Sequence, residues 1–66
     1  MGEKIRQIRE QLRMSQEELA EKSHISRQTI SAIESGKATS VMTGTLEAIA
    51  KALGVSVHIF FETSVR

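Results

Sequence analysis

Apolar positions recur along the chain at spacings of three and four. In "EKIRQIREQL" they are Ile5, Ile8 and Leu12, which predicts a helix with one buried face. Arg9 falls at the edge of that stripe, while Arg6, Glu10 and Arg13 fall away from it. An arginine at a core edge requires an acid nearby, because an unpaired buried charge is costly. Further on, Leu19, Ala20 and Ser23 share the inner side of a second, short helix, with Glu17, Glu18 and Glu21 mostly outside. Ile30 and Ile33 anchor a third helix. Leu46, Ile49, Ala50 and Leu53 line a fourth, within "TLEAIAKALG".

The helix starts carry their own punctuation. "MSQEEL", "ISRQTI" and "VSVHIF" each present an apolar residue, a serine, three further residues and a second apolar residue. That is an N-capping serine held between the two halves of a hydrophobic staple. It predicts helices beginning near Gln16, Arg27 and Val57, and Glu18 completes a capping box at the first of them. Gly36 and Gly54 are the natural stops, and "KATSVMTG" between them is expected to be a loop. The segment 55–62 supports two assignments. Val55, Val57, Ile59 and Phe61 alternate as in a strand, and β-branched content favours one. The repeated cap pattern favours a fifth short helix, and the helix is the expectation adopted. The fold class is therefore all-α, a compact bundle of about five short helices in a single domain spanning 1–66.

Composition narrows the function. A chain of 66 residues buries only a marginal core, and domains of this size often lean on a staple or a partner. Cysteine is absent, which rules out a disulfide framework or thiolate ligands. His24 and His58 stand far apart with no other soft ligands, so no metal site is expected. Ser23-His24 has no orienting acid and no nucleophile-elbow pattern, and no glycine-rich phosphate loop exists. No catalysis and no cofactor are expected. The first residues, "MGEKIRQIRE", lack a signal-peptide core, and no apolar run is long enough to span a membrane, so the cytoplasm is the expected location. Net charge is only +1, so a nucleic-acid surface must rest on where charges sit rather than on their sum.

They sit suggestively on the third helix. With Ile30 as origin, Ile33 falls at roughly −60° and Glu34 at roughly +40°, while Arg27, Gln28, Ser31, Ala32 and Ser35 spread over the remaining arc. That arc holds no large apolar residue. Arg27 and Gln28 stand at its N-terminal end, where recognition helices meet base edges. Arginine suits the O6/N7 acceptors of guanine, and glutamine suits the N6/N7 pair of adenine.

Over about Ile5 to Phe61, "SQEELAEKSHISRQTISAIESGK" followed by "TLEAIAKALGVSV" resembles the Cro and phage-repressor family of helix-turn-helix domains, the xenobiotic-response-element type. The resemblance implies a lambda-repressor-like bundle, with the helix-turn-helix unit at about 16–35. It implies double-stranded DNA as partner and a homodimer on a palindromic operator. It implies base reading by Arg27, Gln28 and Ala32, with Ser31 close by. It implies phosphate contacts by Ser15, Gln16, Ser26, Lys37 and Thr39, and an internal salt bridge between Arg9 and Glu34, which their places at stripe edges support independently. Two positions depart from the family pattern. His24 and Arg13 stand where glycine is common, and His24 is expected to adopt positive φ. The loop "ATSVMTG" is slightly longer than the family's usual one.

The tail, about 55–66, is apolar for so small a domain. Val57, Ile59, Phe60 and Phe61 are expected to offer a self-complementary dimer surface. The expected function is a sequence-specific homodimeric transcriptional regulator, a repressor. The competing expectation is a protein-interaction module such as an antitoxin, whose DNA binding is autoregulatory and whose tail grips a toxin.

Overall fold

The computed structural model describes residues 1–38 and 40–61. Four α-helices run α1 Gly2–Gln11, α2 Gln16–Ser23, α3 Arg27–Glu34 and α4 Thr43–Leu53, and a 3-10 turn follows at Val57–Phe61. The fifth helical element is thus a five-residue 3-10 helix rather than an α-helix, and the described residues contain no strand. Ser56 does not cap it as the earlier serines cap theirs. Its hydroxyl accepts from the N–H of His58, only two residues on, at 3.3 Å.

The two earlier caps form in full. At α2, the Glu18 N–H donates to Ser15 Oγ at 3.0 Å and the Ser15 N–H donates to Glu18 Oε1 at 3.2 Å. At α3, Ser26 Oγ accepts the Thr29 N–H at 3.1 Å. Between them the chain turns on His24, which holds the left-handed conformation at φ 61°. Ser23 supports the turn from inside: its hydroxyl donates to the Leu19 carbonyl at 2.6 Å and accepts the Ile25 N–H at 3.2 Å. Arg13, within the connection between α1 and α2, is also left-handed at φ 57°.

Two expectations about helix ends give way. Leu12 lies beyond α1 and is 51 % exposed, because the chain leaves the helical path before its side chain can reach the core. α4 begins at Thr43, inside the stretch expected to be loop, with Met42 as an N-cap that offers no side-chain acceptor. The Leu46 N–H donates to the Met42 carbonyl, which draws Thr43 and Gly44 into the first turn.

The core gathers from every element. Ile5, Leu19, Ile30 and Ile49 are fully buried, with Ile33, Leu46, Leu53 and Phe60 nearly so. Burial of each such side chain contributes roughly 1.5–3 kcal/mol. Met14, Ile25 and Val55, the outer halves of the three staples, pack against this cluster. α2 packs on α3 and α4, α1 packs on α3, and the 3-10 turn closes the bundle against α1 and α4. α1 approaches the end of α3 closely enough that a Cβ on Gly2 would collide with the Ile33 carbonyl oxygen. α2 and α3 thus pack against each other and against the rest of the bundle, with the outer arc of α3 facing solvent.

Candidate nucleic-acid interface

One open concavity is lined by Gln16 from α2, by Arg27, Gln28, Ser31 and Ala32 from α3, and by Ser35 and Lys37 just beyond it. It thus joins all four expected base readers to two of the expected phosphate contacts. Arg27, Gln28, Ser31 and Lys37 are exposed, while Gln16 and Ala32 are half-buried. Among the described residues, no acid lines this surface. Small side chains at Ser31, Ala32 and Ser35 keep it open, so a groove edge can approach the helix backbone.

Ser15 and Ser26 fall elsewhere. They line an adjoining recess with Glu17, Glu18, Glu21 and His24, and Arg27 stands on the border between the two. Ser26 also donates its hydroxyl proton to Thr29 Oγ1 at 2.9 Å. Thr39 lies outside the described residues.

Beneath the concavity lies an ion pair that fixes it. Arg9 Nε donates to Glu34 Oε2 at 2.8 Å and Arg9 Nη2 to Glu34 Oε1 at 3.1 Å, a two-pronged contact between α1 and α3. Both residues are buried. Arg9 Nη1 donates to the Met14 carbonyl at 2.7 Å, which ties in the connection before α2. Gln16 Nε2 adds a further donor to Glu34 Oε1 at 3.0 Å. The bond to Glu34 holds the Arg9 guanidinium above even its ordinary high pKa, against the opposing effect of burial. Among the described residues, no buried side-chain nitrogen or oxygen lacks a partner.

A family model for the helix-turn-helix domain matches residues 5–60. The chain belongs to the Cro/phage-repressor family of helix-turn-helix proteins. It is a DNA-binding transcription regulator of the helix-turn-helix type, a family whose domain is not enzymatic. No curated protein and no solved structure gives a significant match. Among the described residues, no helix is long and apolar enough to cross a membrane.

Within this helix-turn-helix frame the tail divides. Phe60, expected on the dimer surface, is 2 % exposed and belongs to the core of the single chain. It joins the core cluster from an element that packs against α1 and α4. Val57 and Ile59 are half-buried against the same core, and Phe61 is 59 % exposed.

Two features of the site escape a reading along the chain. Gln16 joins the Arg9–Glu34 pair across a separation of 18 residues, and no local periodicity signals it. Arg27 Nη1 meets Glu17 Oε2 at 3.5 Å. Glu17 reads locally as an acid stabilising the first turn of α2, and only the crossing of α2 and α3 brings it to the start of α3.

Proposed function

We propose that this regulator reads a specific operator in the major groove through α3 and acts as a homodimeric repressor on a palindromic site. The observation that carries this reading is the single concavity shared by Arg27, Gln28, Ser31, Ala32, Gln16 and Lys37. In this reading Arg27 takes guanine O6 and N7, Gln28 takes adenine N6 and N7, and Ala32 meets a thymine methyl. Lys37 and Gln16 meet the backbone from within the concavity, and Ser15 and Ser26 meet it from the adjoining recess. Thr39 joins them as an expectation from family position. Two recognition helices about one DNA turn (roughly 34 Å) apart would match a two-fold operator.

Selection of sites from random duplex DNA tests it. A two-fold symmetric consensus is expected. Arg27→Ala should then relax one position in each half-site and cost about 1–3 kcal/mol. Lys37→Ala should weaken binding to all sequences alike and lower the salt slope by about one unit. No enrichment at low salt would overturn the reading. An unaltered base preference in Arg27→Ala would remove Arg27 from its role.

A further inference from the structure

We infer that Glu17 is a positioning residue for Arg27, one that sharpens base discrimination by holding one corner of its guanidinium. The inference rests on the base-reading role of Arg27 given above. Arg27 Nη1 lies 3.5 Å from Glu17 Oε2, and the two side chains are 62 % and 76 % exposed. The contact crosses from the first turn of α2 to the first residue of α3, on the border of the reading concavity. It engages Nη1 alone. The edge formed by Nε and Nη2 is left to meet an acceptor pair, and that edge suffices for the bidentate contact with guanine O6 and N7. A flexible arginine at the start of a helix otherwise samples many rotamers, and freezing them on binding costs affinity for the correct base.

The same carboxylate acts against wrong complexes. On non-specific DNA an unrestrained Arg27 would turn to a phosphate, as arginines do, releasing counterions. Glu17 competes for that guanidinium and sets a negative charge beside the backbone. It therefore opposes the sequence-independent mode while leaving the guanine-facing edge available. An exposed pair of this length is worth at most about a fivefold factor, which bounds the effect.

The test compares selected-site profiles and non-specific affinities for the unaltered protein, Glu17→Gln, Glu17→Asp, Arg27→Ala and the Glu17→Gln/Arg27→Ala pair. Glu17→Gln should lower preference at the base position that Arg27 governs by about two- to fivefold, leaving the rest of the consensus intact. It should also bind random duplex more tightly, with a gap that narrows at high salt. Glu17→Asp keeps the charge but withdraws the carboxylate by one methylene. It should lose preference at that position while keeping the weak non-specific affinity of the parent. In the Arg27→Ala background, Glu17→Gln should change nothing further at that position. Thermal melting of both Glu17 variants reports that the fold is intact. A consensus that Glu17→Gln and Glu17→Asp leave unaltered at the Arg27 position overturns the inference alone. Failure of the parent protein to select any consensus overturns the reading role of Arg27, and the inference with it.

Discussion

Glu34 accepts from Arg9 through both oxygens and from Gln16 through one, so three segments of the chain converge on a single carboxylate. Removing one member strands the other. Arg9→Met should cost about 3–5 kcal/mol by leaving Glu34 buried without its counter-charge. Small domains lie at the low end of the usual stability range of about 5–15 kcal/mol, so this variant should be largely unfolded at 25 °C. Combining it with Glu34→Leu should restore most of the loss, since an apolar pair of similar volume needs no compensation and Gln16, half-buried, can turn to water. Urea titration followed by far-ultraviolet circular dichroism measures both. A double variant no more stable than the single one would show that the pair does more than neutralise itself. The pH dependence has a definite sign. A raised arginine pKa contributes stability that persists below the unfolded value and is lost only as pH climbs through the folded one. The Arg9 contribution should therefore be constant across the neutral and moderately alkaline range. Arg9 and Glu34 were legible because each sits where an apolar stripe meets a polar face. Gln16 was not, because its amide reaches Glu34 only after α2 and α3 have crossed.

Helix starts proved as legible as their caps. Ser15 and Ser26 fix α2 and α3 at the residues their motifs predict, because a serine oxygen three residues upstream satisfies a specific orphan N–H. α4 starts without a capping side chain, so nothing in "SVMTG" marks where it begins. The tail repeats the serine motif, but Ser56 Oγ accepts the N–H of His58, two residues on rather than three, and the five residues that follow form a 3-10 helix. Short helical pieces commonly take the three-residue turn, and here it carries Phe60 into the core. The turn ending α2 supplies a test of backbone strain. His24 holds φ 61° at a helix end, where glycine bears no Cβ penalty. His24→Gly should stabilise the domain by about 0.5–1 kcal/mol, the relief of left-handed strain exceeding the extra freedom glycine gains when unfolded. Gly54→Ala, at φ 74°, should shift stability the other way by about 1 kcal/mol. Opposite movements of the urea midpoint at constant slope check both. Movements in the same direction would mean that side-chain contacts, not φ, control these positions.

At the scale of the whole molecule, the proposed reading requires a second copy of α3 on the operator. In the proposed reading one α3 would offer a few base contacts, and joining two through a dimer would raise the effective concentration of the second. The proposed dimer surface began as four tail residues that the sequence could not separate, since aromatic and β-branched side chains suit a core and an interface equally. Their burial now separates them. Phe60 closes the core, Val57 and Ile59 lean on it, and Phe61 points its ring into solvent. If the homodimer forms there, Phe61→Ser should raise its dissociation constant by tenfold or more, the loss of a buried aromatic of roughly 1.5–3 kcal/mol. The monomer should keep its melting temperature within a few degrees, because Phe61 is 59 % exposed already. Phe60→Ala should instead cost about 3–5 kcal/mol and unfold the chain before any question of assembly arises. Sedimentation equilibrium over a concentration series reads the first effect, and thermal melting reads the second. Affinity for a full palindrome should fall with Phe61→Ser while affinity for an isolated half-site holds. A Phe61→Ser protein that still sediments as a dimer would place the two-fold surface on another face of the bundle.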